Sequence, residues 1–231
     1  MTRLRTSKKL VSKTTSIPVS EFSVMCHNAQ SLHKKIEHYR KDERLVNADV
    51  IVVQETWAKT AYSNAHYYLE DFQDPVCLYT DKKQYRPHSG TFIYVKKGLQ
   101  FVSIHHTTDH GIEGSCLVIC KSNRHYQVIS VYCHPPGNTN KICTAIEHLY
   151  KGNIPLVIVG DMNIDQIQPS KCLKLYAFLQ KRMNAWPALC EETTDYHSAL
   201  DHIYTTEISY NTGVLEAYWS DHKMTWISLF I

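Results

Sequence analysis

No apolar run in this chain of 231 residues approaches the ~20 that a membrane-spanning helix needs, which argues against a helical membrane protein. The N-terminus is basic and rich in hydroxyl residues, without the apolar centre of a signal peptide, and the expectation is a soluble, unsecreted protein. There is no Cys-x-x-Cys pair among the eight cysteines, and Cys26, Cys116, Cys120 and Cys133 lie inside apolar, strand-like runs. That pattern fits a reduced intracellular protein better than a disulfide framework. Of the fourteen histidines, His105, His106 and His110 are close in sequence, but no second ligand pair stands at finger-like spacing, and the reading is a solvated turn. No Gly-x-Ser-x-Gly elbow accompanies any serine, and there is no internal repeat, low-complexity tract or linker.

What is present suffices for one large domain. Hydrophobic residues make up 43% of the chain and charged residues 20%, enough for a substantial core. The formal net charge is +3, yet Arg3, Arg5, Lys8, Lys9 and Lys13 fall in the first twenty residues with no acid among them, so the remainder carries −2. A nucleic-acid surface on the body must then be local. Candidate clusters are Lys34, Lys35, Arg40, Lys41 and Arg44, then Lys82, Lys83 and Arg86, then Lys96 and Lys97. Residues 1–20 read as a basic, flexible arm able to contact phosphates, and 21–231 as the folded domain.

Periodicity predicts strands at Phe22 to His27 and Asp49 to Gln54 with an amphipathic helix from Ser31 to Val46 between them, the opening of a layered α/β domain. Strands follow at Val76 to Tyr79, Gly90 to Val95, Phe101 to His105, Ser115 to Cys120 and Gln127 to Tyr132, a meander without repeated βαβ units. Asn138 to Tyr150 and Ser170 to Lys181 read as helices around an all-apolar strand, Ile154 to Val159. After an irregular stretch from Met183 to Leu200, strands at Asp201 to Tyr204, Val214 to Trp219 and Met224 to Phe230 close the domain. The expected fold class is α/β (α+β), two packed, mainly antiparallel sheets flanked by helices.

Three clusters follow apolar runs: Gln54-Glu55-Thr56, Gly160-Asp161-Met162-Asn163 and Ser220-Asp221-His222. Carboxylates, an amide and an imidazole emerging from strand ends are the groups that hold a hard cation, orient water and stabilise a phosphate. Glu55 is the expected metal ligand, with Asn28 near the same ion or capping the following helix as a turn residue. Asp161 and Asn163, two apart, are expected to face one way. His222 needs a carboxylate to fix its tautomer and favour its charged form, and Asp201 is the candidate. His134 and His202 adjoin these motifs without an assigned role.

The ordered string His27-Asn28-Ala29-Gln30-Ser31-Leu32, Gln54-Glu55-Thr56-Trp57, Val131-Tyr132, Gly160-Asp161-Met162-Asn163, Leu200-Asp201-His202-Ile203 and Ser220-Asp221-His222 resembles the endonuclease/exonuclease/phosphatase superfamily, with its DNase I-like, AP-endonuclease-like four-layer fold. Within it, Tyr132-x-x-Pro135-Pro136 and Leu200-Asp201-His202-Ile203 look most like the endonuclease domain of non-LTR, LINE-type retrotransposons, and related domains occur in other mobile elements. Gln30 stands where the family often has Asp or Asn. The resemblance implies that Asp161 activates the attacking water, Asn163 and His222 contact the scissile phosphate, Asp201 pairs with His222, Tyr132 supports the phosphate, and Asp221 sits by the metal. It further implies that the loop carrying Trp186, Tyr196 and Ser198 reaches the DNA.

The implied activity is a Mg²⁺-dependent endonuclease, with Mn²⁺ able to substitute, that nicks one strand of double-stranded DNA to leave 3′-hydroxyl and 5′-phosphate ends, inside the cell and in the nucleus at its site of action. In a retrotransposon that 3′-hydroxyl primes reverse transcription. Two alternatives differ in kind. An abasic-site repair nuclease typically has an aromatic residue where His197-Ser198-Ala199 stands here, and an inactive binding module of the same fold would not need the full set of site residues.

Overall fold

The computed structural model describes residues 16–58, 64–78, 89–109 and 111–230. Apolar runs without polar alternation require cover on both faces, and the first two strands have it: β1 (Phe22–Asn28) and β2 (Val50–Gln54) are buried along their whole lengths. Between them, α1 (Leu32–Arg40) turns Leu32, Ile36 and Tyr39 onto the outer face of their sheet, against Ile51, Val53 and Tyr94. The helix stops at Arg40, short of the expected Val46, because the Asp42 side chain accepts from the Arg44 N–H and starts a separate 3₁₀ turn, Glu43–Leu45.

The remaining strands are β3 (Val76–Leu78), β4 (Thr91–Val95), β5 (Gln100–Asp109), β6 (Ile112–Lys121), β7 (Arg124–Cys133), β8 (Leu156–Asp161), β9 (Trp186–Pro187), β10 (Asp201–Thr205), β11 (Tyr210–Leu215) and β12 (Met224–Leu229). They form two six-stranded sheets, ordered β11-β12-β1-β2-β4-β3 and β5-β6-β7-β8-β10-β9. The inner faces meet through Val24, Cys26, Val52, Val128, Val157, Val159, Ile203 and Ile227. Helices α2 (Thr139–Leu149) and α3 (Pro169–Met183) cover the outer face of the second sheet through Ile142, Ile146, Leu175 and Leu179. The layers are therefore helix, sheet, sheet, helices, the expected sandwich.

Each sheet is antiparallel apart from one pair: β1 lies parallel to β2, and β7 parallel to β8, each pair joined by a helical connection. The carboxyl ends of these four strands reach one edge of the sandwich. Antiparallel pairing brings the start of β10 to the end of β8, Asp201 opposite Asp161, and brings the segment before β12 beside the end of β1. That convergence makes the candidate site.

Several expectations change. Ile17 is fully buried and its carbonyl accepts from Asn47 Nδ2, so the packed body starts before residue 21, and residues 1–15 of the expected arm lie outside the described residues. The strand expected at Val214 to Trp219 is β11, which runs earlier, while Tyr218 and Trp219 lie in the turn after it, against His38 of α1. His105 and His106 are consecutive residues of β5, not of a turn, and point to opposite sheet faces, which does not suit joint ligation of one ion. All eight cysteines are free thiols. No helix among the described residues is long and apolar enough to cross a membrane.

Candidate active site

Gly160, the residue before Asp161, is crowded by β7 of its own sheet and by Gln54 of the other. Its φ is +142°, and a Cβ there would lie 2.0 Å from the Val131 carbonyl oxygen and 2.6 Å from Gln54 Nε2. Only glycine fits. The approach lets Gln54 clamp the sheets: its Oε1 accepts from the Asp161 N–H at 2.8 Å and its Nε2 donates to Ser130 Oγ at 3.0 Å. A buried glutamine at the end of the apolar run Val50 to Val53 is the signal that was available in the sequence for this residue.

Glu55 follows with a left-handed backbone, φ 50°, a conformation that long side chains rarely adopt and that concentrates at functional sites. Its Oε1 accepts from Asn28 Nδ2 at 2.9 Å and from the Tyr132 hydroxyl at 2.8 Å, and its Oε2 from Trp57 Nε1 at 3.3 Å. Asn28 Nδ2 also donates to Asp161 Oδ2 at 3.0 Å, so this amide bridges the two carboxylates. Its Oδ1 accepts from the Gln30 N–H at 3.2 Å, so the expected turn role and the site role coexist in one side chain. Burial, reinforced by the Glu55 charge, pushes the Tyr132 hydroxyl far up and keeps it a donor.

His222 is fixed by two strand ends. Its Nδ1 meets Asp201 Oδ2 at 2.8 Å, while Nε2 stands 3.9 Å from Asp161 Oδ2 and 3.8 Å from Asp221 Oδ1. Burial alone lowers the basicity of this ring, but the charge and hydrogen bond of Asp201, then Asp161 and Asp221, outweigh it and raise its pKa to about 10. Asp161 is pushed up to about 7 by burial and by Asp201, against the opposing pull of His222. The site thus pairs a cationic imidazole with a carboxyl group able to exchange a proton near neutral pH.

The supports of this pair come from far along the chain. Ser220 Oγ donates to the Asn28 carbonyl at 2.9 Å, and the Asp201 and Leu200 N–H groups both donate to the buried Thr193 Oγ1 at 3.1 Å. The His27 ring donates from Nε2 to the His222 carbonyl at 3.0 Å and accepts the Tyr39 hydroxyl at Nδ1. His202 repeats the arrangement, donating to the Ile164 carbonyl at 2.6 Å and accepting the Tyr204 hydroxyl at 2.7 Å.

The structure brings Asn28, Glu55, Tyr132, Asp161, Asp201, Asp221 and His222 together. Asn163 is close, but the strand ends at Asp161, and Asn163 has a left-handed backbone, so the two do not alternate along one strand. Its N–H donates to Asp161 Oδ1 and its Nδ2 to the Cys133 carbonyl. Ser198 bonds Thr194, and Tyr196 is 78% exposed in a turn whose Asp195 N–H donates to the Asp221 carbonyl, so both border the site. Trp186 does not. It pairs with Thr205, the end of β10 remote from Asp201, about 13 Å along the strand.

The candidate basic surface is also smaller than its count of cations. Arg40 donates to the His66 and Tyr68 carbonyls, Arg44 pairs with Asp42, Lys96 holds the Val46 carbonyl, and Lys97 holds Tyr68 and Glu70. Lys34 is exposed, and Lys35, half-buried, holds the Ala29 carbonyl within electrostatic reach of Asp221 and Glu55. Lys82, Lys83 and Arg86 lie outside the described residues.

No curated protein matches the chain by sequence. Among solved structures, an endonuclease/exonuclease/phosphatase family protein from Leptotrichia buccalis is similar in fold, with a TM-score of 0.70 at 12% identity, covering 91% of this chain and all of that one. A Bacteroides thetaiotaomicron mannosyl-6-phosphatase gives 0.62 at 15% identity over 91% of this chain and 100% of its own. A D. rerio TDP2 complexed with a single-strand DNA product gives 0.60 at 12% identity, over 89% and 97%. The family model described as endonuclease/exonuclease/phosphatase matches residues 25–222, from within β1 to His222, and this chain belongs to that family of phosphate-ester and phosphodiester hydrolases.

Proposed function

We propose that the chain is a divalent-cation-dependent DNA endonuclease that nicks one strand to leave 3′-hydroxyl and 5′-phosphate ends, and that it serves a LINE-type retrotransposon or related mobile element. The observation that carries the hydrolytic reading is the row Asp201–His222–Asp161, in which one carboxylate holds the imidazole and the other faces its free nitrogen across 3.9 Å. The motif order and the Tyr132-x-x-Pro135-Pro136 run support the mobile-element assignment, and a solved relative of similar fold holds a DNA product.

The donor chemistry fits Mg²⁺, with Mn²⁺ as substitute. Asp221 Oδ1 is buried without a hydrogen-bond partner, the state of a carboxylate oxygen that a cation would satisfy, and both Asp221 and Glu55 act on the Lys35 charge. Asp161, Asp201 and His222 also lie within 4.8 Å of one another, but Asp201 holds Nδ1 of that ring and Asp161 faces its other nitrogen, an arrangement suited to proton transfer. Glu55 and Asp221 are the residues that would hold the cation, with Asn28 beside the same ion and bonded to Glu55. When bound, the cation supplies Lewis-acid stabilisation of the phosphoryl oxygens. Asp161 takes the proton of the attacking water, and Asn28 holds that carboxylate in place. Cationic His222 faces the negative charge that develops, Tyr132 supports the phosphate site by donating its hydroxyl hydrogen bond to Glu55, and Asn163 lines the same edge.

Purified protein with Mg²⁺ should convert supercoiled plasmid to open circles, and DNA ligase alone should reseal the nicks. Excess chelator should stop the reaction. Release of phosphate from sugar phosphates with plasmid left intact would reverse the assignment toward phosphomonoester hydrolysis.

A further inference from the structure

Glu113 is a buried carboxylate that the proposed chemistry does not use. It stands on β6 opposite Tyr132 of β7 and is 2% exposed. Its two oxygens accept the Gly90 N–H at 3.2 and 3.0 Å, one also accepts the Thr91 hydroxyl at 3.2 Å, and His134 Nε2 approaches the other at 3.3 Å. Gly90 immediately precedes β4 of the other sheet; its carbonyl accepts the Thr56 N–H at 3.0 Å, and the Ser89 carbonyl accepts the Trp57 N–H at 3.0 Å. These two amides follow Glu55 directly.

We infer that Glu113 is a positioning residue for Glu55. The backbone at Glu55 and at Trp57 is left-handed, with φ of 50° and 49°, and a strained segment persists only when its surroundings hold it. Two tethers do so. Tyr132 binds the Glu55 carboxylate itself, while Glu113 fixes the Ser89–Gly90 strap that binds the next two amides. Gly90 has φ +101°, and a Cβ there would come 2.5 Å from Thr56 Oγ1, so the strap lies as close to Thr56 as a backbone can. A charged acceptor that takes the Gly90 N–H on both oxygens is a stronger anchor than a neutral one. Buried charge of this kind is costly, and its return is the aim of a metal-binding carboxylate across the sheet boundary.

The inference rests on the proposed cation site, so the wild-type protein is the first control: failure of wild-type protein to bind Mg²⁺ or to nick DNA defeats that proposal, whatever the variants do. Given wild-type binding, Glu113→Gln should weaken Mg²⁺ affinity about tenfold, measured by calorimetry without DNA, with KM for DNA within about twofold. The indole N–H resonance of Trp57, which donates to Glu55 Oε2, should shift in the metal-free variant. Gly90→Ala breaks the same strap from its other end and should give the same two signatures. Wild-type metal affinity and an unmoved Trp57 resonance in a folded variant would overturn the inference, and so would loss of folding in both variants, which would leave Glu113 a purely structural role.

Discussion

Asp161 and His222 act on one another through 3.9 Å, and neither environment makes sense without the other: the acid is held near neutrality by burial and Asp201, the base is held charged by three carboxylates. His222→Ala and Asp161→Asn should each reduce nicking by at least ~10², because each group acts mainly on the transition state. Circular dichroism should stay native in both. Undiminished turnover in either variant would remove that residue from the chemistry. Residues of this kind were legible in the sequence, since Glu55 and Asp161 each end an apolar run and His222 closes a short polar one. Their supports were legible only in part. Gln54 and His27 stand inside the motifs, but their bonds, to the Asp161 amide 107 positions away and to the His222 carbonyl, are set by the tertiary fold, and no local pattern marks Thr193.

At the level of elements, β1 and β10 each carry a fully buried histidine held neutral, His27 with its pKa lowered to about 3 and His202 to about 4, both through burial. Their unfolded value is 6.5, so as pH falls below 6.5 the unfolded chain binds protons that the fold refuses. Stability from these rings is complete above 6.5 and is lost as pH falls toward 4 and 3. Two protons taken up on unfolding correspond to ~1.4 kcal/mol each per pH unit in that window. In the same window Asp161, raised to about 7 from an unfolded 3.8, holds a proton in the fold that the unfolded chain releases, and this offsets one of the two. Urea midpoints of metal-free protein from pH 7 to 4 should therefore record a net uptake of about one proton, and His202→Gln should lower that slope by about one proton more. An equal slope in the variant would deny the ring its part. The irregular segment before β10 divides in the same spirit. Thr193 and Thr194 are buried and bound to the site, whereas Asp195, Tyr196 and His197 are exposed. Exchanging all of 191 to 197 would therefore damage Asp201 as well as the tip. Thr193→Val should lower the nicking rate, while Tyr196→Ala should shift the distribution of nick sites with less effect on rate, and a Tyr196→Ala nick map identical to wild type would show that the tip does not choose targets. Strand identities were readable from apolar runs, but pairing was not: β1 lies against β12, from the other end of the chain, and β11 begins at Tyr210-Asn211-Thr212-Gly213, polar residues that hide an edge strand.

At the scale of the whole molecule, charge is distributed unevenly in a way that bears on a polyanionic substrate. Outside the first twenty residues the chain carries −2, and Arg40, Arg44, Lys96 and Lys97 are committed to carbonyls and carboxylates of the body. The clustered acids of the site add to the repulsion of phosphate. For the DNA nicking proposed above, phosphate contacts are expected from cations elsewhere, and Arg3, Arg5, Lys8, Lys9 and Lys13 are the densest unopposed set in the sequence. Each phosphate neutralised by such a residue releases counterions, steepening the salt dependence of binding by about 0.9 in log–log slope. Removal of residues 1–15, which spares buried Ile17, should weaken binding to a duplex oligonucleotide and reduce the salt slope by up to ~4.5, measured by anisotropy with chelator present. Turnover at saturating DNA should stay within about twofold, because the deleted residues precede every member of the catalytic edge. An unchanged slope would mean that the body, despite its charge, supplies the phosphate contacts, and the exposed Lys34 beside the site would be the place to look next.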